Sequence, residues 1–231
     1  MTVKKLLEDA HETGALSKAS LIKLDVVDVG AQIQAGLGLS IDDVGSSEVV
    51  LLTMMPDDSG SIQHANNAQA VRDGHNFVID ALGQSKQAGE VLAHTRYLNG
   101  HVLFPYTQLA HAERLTPANY DPRLGTPLYD QTCVVLGTVI AKAQELAQAG
   151  IAVRTVTLII TDGADCGSTR CKAADVATIV RDMVAQENHI VAAMGISDGS
   201  TNFKDVFAKM GIPDRWILTP GNSASEIRRA F

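Results

Sequence analysis

The sequence predicts an α/β fold with a mostly parallel sheet, covered by helices on both faces and carrying one antiparallel strand. Hydrophobic residues make up 45% of the 231 residues, enough for a sizeable core. Apolar runs of strand length alternate with helical patterns, and continuously apolar strands are typical of buried parallel sheets. Two of these runs meet at Asn99-Gly100, a dipeptide that favours a tight hairpin and therefore makes one strand antiparallel.

Each predicted element has its own local signal. The run "EVVLLTMM" is continuously apolar, and "RTVTLIITDG" is the clearest strand that follows it. The segment 126–150 has helical apolar spacing, with Pro127 near its first turn and Gly150 just past its end. The predicted strands are 48–55, 89–100, 101–110, 154–163, 189–198 and 215–221. The predicted helices are 66–86, 126–150, 171–188, 201–211 and 223–231.

The beginning of the chain has a different character. We expect residues 1–45 to form an N-terminal, helical appendage and residues 46–231 to form the main domain. The stretch "KKLLEDA" has helical apolar spacing, and later apolar positions such as Val27 favour one or two further short helices. The stretch "LDVVDVG" is equally compatible with an extended segment. The polar residues 40–47 are typical of a linker.

The overall composition argues against two classes of function. The net charge is −7, no stripe of Lys and Arg is visible, and aromatic residues make up only 4%, so a nucleic-acid partner is not expected. No apolar run approaches the roughly 18 residues that a membrane-spanning helix needs. Acidic and polar residues interrupt the N-terminal region, which argues against a secretory signal.

The chain contains three cysteines, Cys133, Cys166 and Cys171. This odd number, without a secretory signal, indicates reduced thiols in a cytoplasmic protein. For Cys166 and Cys171 a zinc-ligand pair, a disulfide and a transient redox pair are alternatives to two unlinked loop thiols.

Oxygen-bearing side chains follow two of the strongest predicted strands. Asp57, Ser59 and Ser61 alternate directly after the first strand, and Asp162 follows the strand 154–161. Gly60 is expected to let the backbone turn without a Cβ clash, so that the alternating side chains converge. Because the carboxyl ends of parallel strands share one edge of the sheet, these groups are expected to meet there. Two hydroxyls and a few carboxylates form a hard oxygen set that suits Mg²⁺ or Mn²⁺.

Each of these segments also has a simpler interpretation. The string "DDSGS" is compatible with a turn and a helix N-cap, since Asp and Ser are common in both. Thr126-Pro127 is an ordinary helix start, with Thr as the N-cap and Pro at the first helical position. Asp162-Gly163 is compatible with turn chemistry alone. These alternatives stay open when each segment is considered by itself.

Taken together and in order, the three segments resemble a known family. Asp57-x-Ser59-x-Ser61 after a hydrophobic strand, Thr126 at the start of a long helix and Asp162 in "LIITDG" are similar to the von Willebrand factor A (vWA) domain. They correspond to its metal-ion-dependent adhesion site, known as MIDAS. The resemblance extends over the main domain and leaves out the N-terminal appendage.

The resemblance implies a Rossmann-like, three-layer α/β/α fold with one antiparallel edge strand. It implies that Ser59 and Ser61 bind the metal directly and that Thr126 binds it directly or through water. It also implies that Asp57 and Asp162 are mostly linked to the metal through water. The expected cofactor is Mg²⁺ or Mn²⁺.

The functional expectation from the resemblance is a protein-binding module that is not an enzyme. In such domains an acidic side chain of the partner protein often completes the metal shell, and intracellular relatives often work beside AAA+ ATPases or in other multiprotein assemblies. The alternative is a metal-assisted hydrolase or phosphatase that uses the same acids. Pro56 departs from the pattern, because relatives usually have another apolar residue there, and it is expected to end the strand early. Asp130, one helical turn after Thr126, is a candidate acid behind the metal ligands.

Overall fold

The computed structural model describes the backbone of residues 1–231 and every side chain except that of Val27, whose predicted place on a helix face therefore lies outside the described part. The strands are β1 (Glu48–Pro56), β2 (Val91–Arg96), β3 (Val102–Gln108), β4 (Ala152–Thr161), β5 (His189–Gly195) and β6 (Ile217–Leu218). They form one sheet in the order β3-β2-β1-β4-β5-β6. Only β2 and β3 pair antiparallel, which confirms the predicted sheet with its single antiparallel edge strand.

Helices cover both faces of this sheet. They are α1 (Val3–Glu12), α2 (Lys18–Leu24), α3 (Val27–Leu37), α4 (Gly60–His64), α5 (Ala68–Gly83), α6 (Leu128–Gln148), α7 (Ala173–Ala185), α8 (Phe203–Lys209) and α9 (Ala224–Ala230). Neighbouring residues of β4 point to opposite faces, so Ile159 packs in the core formed with α6 and α7, while Ile160 packs in the core formed with α5 and α9. The result is the expected Rossmann-like, three-layer α/β/α arrangement. In the described part of the chain, no helix has both the length and the apolar character required to cross a membrane.

Several element ends differ from the prediction. The strand predicted at 89–100 stops at Arg96, because the following residues form the hairpin turn in which Gly100 has a φ of 92° and the amide of Tyr97 donates to the carbonyl of His101 (2.8 Å). The strand predicted at 215–221 contains only Ile217–Leu218. It is an edge strand that pairs with β5 on one side, and Pro220 has no amide with which to extend the ladder.

Pro56 does not shorten β1 as expected. It is the last residue of that strand and lies opposite Ile160 of β4. Its carbonyl accepts a hydrogen bond from the amide of Leu98 (3.0 Å), so the proline still contributes its acceptor to the sheet. The ends of β1 and β4 are consequently held side by side.

The first 45 residues form helices that pack on α6, on α7 and on the edge strand β3. "LDVVDVG" is helical from Val27 onward rather than extended. The side chains of Leu24 and Ile33 approach α6 so closely that a Cβ on Gly137 would lie 2.7 Å from Ile33 Cδ1. The amide of Leu39 donates to the carbonyl of Tyr106 (2.8 Å), which caps the outer edge of β3. The segment therefore shares the hydrophobic core, while the division at residue 45 stays a prediction.

Candidate metal centre

The first candidate residue, Asp57, is fully buried directly after β1. Its Oδ1 accepts a hydrogen bond from the amide of Ser59 (2.7 Å), and its Oδ2 accepts one from the hydroxyl of Thr161 (2.6 Å). Its carbonyl accepts one from the hydroxyl of Tyr120. With both carboxylate oxygens bonded to the protein, Asp57 fixes the loop that carries the serines and ties it to the end of β4.

The two serines and Asp162 form a continuous chain of oxygen atoms. The hydroxyls of Ser59 and Ser61 are 2.9 Å apart, and the hydroxyl of Ser61 donates to Asp162 Oδ1 (2.5 Å). Ser61 is exposed, whereas Ser59 and Asp162 are buried. The oxygen chain therefore leads from the interior to the surface, across the ends of two neighbouring parallel strands.

The simpler interpretation of "DDSGS" as a helix cap agrees with the position of Ser59 but not with its hydrogen bonds. Ser59 stands at the N-cap of α4, but its hydroxyl makes no capping hydrogen bond and contacts Ser61 instead. The expectation that the turn depends on Gly60 is wrong. A Cβ at Gly60 would come no closer than 3.9 Å to another residue, and its φ is not in the left-handed region.

Thr126 reaches the same place from a third segment. Its amide donates to the carbonyl of Cys166 (3.2 Å), and the amide of Cys166 donates back to the carbonyl of Thr126 (2.8 Å). Its hydroxyl lies 3.8 Å from the position that a Cβ on Gly163 would occupy, next to Asp162. Pro127, rather than Thr126, is the N-cap residue of α6, so the hydroxyl of Thr126 is not used as a helix cap. The structure thus brings all five sequence-predicted residues to one edge of the sheet.

The loop after β4 is held against the start of α6 by side chains that sequence reasoning mostly missed. Asp165 Oδ1 and Ser168 Oγ both accept from the amide of Tyr129 (3.1 Å each). Asp130, predicted to stand behind the ligands, accepts hydrogen bonds from three successive amides, those of Thr169 (2.9 Å), Arg170 (3.0 Å) and Cys171 (2.7 Å). These contacts fix the pairing of Thr126 with Cys166 and hence the place of its hydroxyl.

A second buried acid, Asp58, fixes the other flank of the loop. Its Oδ1 accepts from the amide of Asn99 (3.0 Å) and from the side-chain amide of the same residue (2.9 Å). Neither Asn99 nor Tyr120 could be chosen from the sequence, since nothing local marks a partner so far along the chain. Thr161 was also missed, but it could have been found from the sequence because it directly precedes the candidate Asp162.

The two acids of this site, Asp57 and Asp162, are buried, and burial changes their pKa values. Burial raises the pKa of Asp57 to about 6, although hydrogen bonds from Ser59 and Thr161 act in the opposite direction. Burial also raises the pKa of Asp162, with a further contribution from the nearby Asp198. Among the side chains that the structure describes, no Lys, Arg or His forms an ion pair with Asp57 or Asp162.

The donor set fits a hard divalent cation. The described residues contain no group of three or more His, Cys, Asp or Glu side chains that suits a metal, so a thiolate or imidazole site is not indicated there. Two serine hydroxyls, one threonine hydroxyl and two carboxylates are all oxygen donors of the kind that Mg²⁺ and Mn²⁺ prefer. A cation at this place would also interact favourably with the two carboxylates whose pKa values burial raises.

Cys166 and Cys171 do not form a disulfide, and the thiol next to Cys171 is the buried Cys133 rather than Cys166. All three are free, with Cys166 exposed and Cys133 and Cys171 buried. Cys166 takes part in the site only through its backbone pairing with Thr126.

Comparison with known proteins identifies the class of fold. The pilus adhesin SpaC from Lactobacillus rhamnosus GG, in its open conformation, aligns with a TM-score of 0.55 and 14% identity over 79% of this chain and 29% of the adhesin. Proximal thread matrix protein 1 from the mussel byssus, in a structure whose MIDAS motif is occupied by zinc, aligns with a TM-score of 0.50 and 16% identity over 79% of this chain and 46% of that protein. The SpRpn10 VWA domain aligns with a TM-score of 0.52 and 11% identity over 79% of this chain and 93% of that domain.

The fold of this chain is therefore that of the vWA domain, as the sequence resemblance implied. The chain spans under a third of the adhesin and under half of the byssus protein, so the likeness covers only part of each. No protein-family model matches the sequence, and no curated protein matches it.

Proposed function

We propose that this chain is a protein-binding module that depends on a divalent metal. The hydroxyls of Ser59, Ser61 and Thr126 would bind Mg²⁺ or Mn²⁺, with Asp57 and Asp162 acting mostly through water. When bound, the cation supplies an electrophilic centre that attracts an acidic side chain of a partner protein.

One observation carries this proposal. The hydroxyl of Ser61 lies between the hydroxyl of Ser59 (2.9 Å) and the carboxylate of Asp162 (2.5 Å), so two chain segments a hundred residues apart present a joined set of oxygen atoms at the protein surface. Thr126 lies beside this set. Because three of the proposed ligands are uncharged hydroxyls, a bound cation would keep much of its charge and attract a partner carboxylate strongly.

The setting of the module is part of the proposal. We place it in the cytoplasm, supported by three free cysteines, and expect it to work in a multiprotein assembly such as one associated with an AAA+ ATPase. Affinity capture in Mg²⁺, compared with capture in EDTA, would identify the partner. A metal-dependent phosphoester hydrolysis that Asp57→Ala abolishes would instead favour the hydrolase alternative.

Metal binding is tested by calorimetric titration with Mg²⁺, Mn²⁺ and Zn²⁺. We expect the affinity for the preferred ion to fall by more than about 100-fold in Asp57→Ala and in the double variant Ser59→Ala/Ser61→Ala. The double variant removes two proposed ligands without removing a buried charge, so its folding is the less affected of the two.

The control is Asp42→Ala, which removes an exposed acid beside the C-terminal end of α6, the end opposite to Thr126. It should bind the ion as the unmodified protein does. An unchanged titration of the folded serine double variant would contradict the proposal.

A further inference from the structure

One large apolar side chain is exposed in the loops that carry the candidate metal ligands. Leu124 is 58% exposed, two residues before Thr126. Among the side chains that the structure describes, the other exposed large hydrophobic ones lie outside those loops, and they are Met1, Ile22, Val26, Phe77 and Leu218. A single exposed leucine is common on protein surfaces, so exposure alone decides nothing here.

The backbone of Leu124 is fixed against the serine loop. Its amide donates to the carbonyl of Asp58 (3.0 Å), and its carbonyl accepts from the amide of Gly60 (3.0 Å). It thereby forms a bridge with Ser59. The next carbonyl, that of Gly125, accepts from the side chain of Asn99 (2.6 Å). Leu124 therefore lies at a fixed position beside Ser59, and little backbone entropy is lost when a partner contacts it.

The charges around Leu124 limit which partners fit. The neighbouring Arg123 forms an ion pair with Asp121 (2.9 Å), so its charge is already matched. Asp162 faces the site, and Asp198 lies close enough to raise the pKa of that carboxyl. A partner segment with several adjacent acids would be repelled by these carboxylates, whereas one carboxylate with an apolar neighbour would not.

We infer that Leu124 is a specificity residue, and that the partner's metal-binding acid is directly flanked by an apolar side chain that packs on it. This inference rests on the proposed function, since it requires the partner carboxylate to be held at the metal. The contact between the metal and a partner carboxylate does not by itself distinguish one acid from another. Burying the partner's apolar side chain against Leu124 adds affinity for those acids that have such a neighbour.

The test uses three synthetic eight-residue peptides with one central Asp, carrying Leu before it, Leu after it, or Ser on both sides. Binding is measured by NMR titration in saturating Mg²⁺. The better Leu peptide should bind about tenfold more tightly than the Ser peptide, which corresponds to about 1.4 kcal/mol. The ratio of the two affinities is taken within each variant, so it does not depend on how tightly that variant holds Mg²⁺.

Three variants make the test specific to Leu124. In Leu124→Ser the ratio should fall to within about twofold, and in Leu124→Ile most of it should remain. Phe77→Ser is the matched control, because Phe77 is as exposed (63%) but lies on α5 rather than in the ligand loops. It should keep the full tenfold ratio.

The outcomes separate this inference from the proposed function. Equal binding of the Leu and Ser peptides, or an unchanged ratio in Leu124→Ser, overturns the inference while Mg²⁺-dependent binding of the Ser peptide still supports the metal-dependent module. Mg²⁺ binding without binding of any peptide at millimolar concentration also overturns it. Absence of Mg²⁺ binding in the calorimetric titration overturns the proposed function and this inference together.

Discussion

Polar side chains cluster in two regions of this molecule, and the two clusters differ in how their hydrogen bonds are satisfied. The metal edge consists of Asp57, Ser59, Ser61, Thr126 and Asp162. The polar cluster beneath α3 consists of Gln32, His94, Arg96 and Gln131. Among the side chains that the structure describes, no buried nitrogen or oxygen atom of the metal edge lacks a hydrogen-bond partner, whereas four in the polar cluster do. They are His94 Nε2, Arg96 Nε, Arg96 Nη1 and Gln131 Oε1.

The two regions also differ in access to solvent and in charge. At the metal edge the carboxylates of Asp57 and Asp162 accept hydrogen bonds and pair with no described Lys, Arg or His side chain, and the edge reaches the surface at Ser61. In the polar cluster the guanidinium of Arg96 is fully buried and donates to the backbone carbonyl of Gln32, and burial lowers its pKa to about 10. Unmatched charge beside an exposed ligand atom can be met by an ion from solvent, whereas unmatched charge that is sealed from solvent only lowers the stability of the fold. Removing a polar group should therefore lower the free energy of unfolding at the metal edge, whereas removing the buried charge should raise it in the polar cluster.

The largest effect is expected from removing Asp130, which supports the metal edge. Asp130→Ala leaves the amides of Thr169, Arg170 and Cys171 without their acceptor, and hydrogen bonds to a charged group contribute about 1.5–3 kcal/mol each. Since water can replace some of these bonds, we expect a loss of about 4 kcal/mol in the free energy of unfolding, measured with urea.

Asp130→Asn is the milder comparison, because an amide oxygen still accepts from part of the same loop. It should lose about half as much stability. If Asp130→Ala unfolds at the same urea concentration as the unmodified protein, the metal edge is not held together by these bonds and the contrast with the polar cluster fails.

The second effect tests whether the polar cluster is sealed. His94 donates from Nδ1 to the carbonyl of Phe104 (2.7 Å), with Arg96 and Tyr106 as its charged and aromatic neighbours. Burial lowers the pKa of His94 to about 3. Below its ordinary pKa near 6.5 the unfolded chain takes up a proton at this residue and the folded chain does not. The contribution of neutral His94 to the free energy of unfolding is therefore complete above about pH 6.5. As the pH falls below that value, the contribution is lost at about 1.4 kcal/mol per pH unit.

The measurement compares the pH dependence of urea unfolding between pH 6.5 and 4.5. His94→Gln should show a slope smaller by about one proton than the unmodified protein at the acid end of the range, a difference of about 2.3 kcal/mol between pH 6.5 and 4.5. Equal slopes for His94→Gln and the unmodified protein would mean that the cluster admits protons while folded.

Most of the sheet was predictable because its signals are local. The apolar runs of β1 and β4 and the helical spacing of α6 can be recognised within a few residues. The two-residue length of β6 could not, because a strand end depends on the neighbouring strand. The packing of Ile33 against Gly137 was equally hidden, since apolar spacing shows that a helix has a buried face without showing what covers it.

The candidate site divides in the same way. Asp57, Ser59, Ser61, Thr126 and Asp162 carry a motif that the sequence displays directly. Their supports act through tertiary contacts: Asp165 and Ser168 bond to the first turn of α6. Nothing in the residues around those two marks this role. The polar cluster had no sequence signal either, because His94 and Arg96 alternate within an otherwise ordinary strand.

A third prediction concerns the charge sealed in the polar cluster. Arg96→Met keeps much of the side-chain volume and removes a buried cation whose Nε and Nη1 have no partner. Replacing buried charges by apolar groups of similar volume is often neutral or stabilising, so we expect a gain of about 2 kcal/mol in the free energy of unfolding.

Thr161→Val is the matched substitution at the metal edge. It removes the buried hydroxyl that donates to Asp57 Oδ2 and should cost about 2 kcal/mol. The comparison depends on the opposite signs of the two changes in the free energy of unfolding. A loss of stability in Arg96→Met would show that the guanidinium has partners in solution, such as ordered water or an anion, and the two regions would then be alike.

The smallest effect concerns α3, the helix that covers the polar cluster. A Cβ at Gly36 would lie 2.6 Å from Thr138 Cγ2 and 3.1 Å from His94 Nε2, whereas a Cβ at Gly30 would have no neighbour within 4 Å. Gly36→Ala should therefore push α3 away from the cluster and cost about 1–2 kcal/mol. Gly30→Ala removes only the helix penalty of glycine and should add about 0.5–1 kcal/mol. Urea unfolding of both variants measures the difference. If Gly36→Ala is as stable as Gly30→Ala, α3 does not press on the cluster, and the unpaired atoms of His94 and Arg96 are not sealed by it.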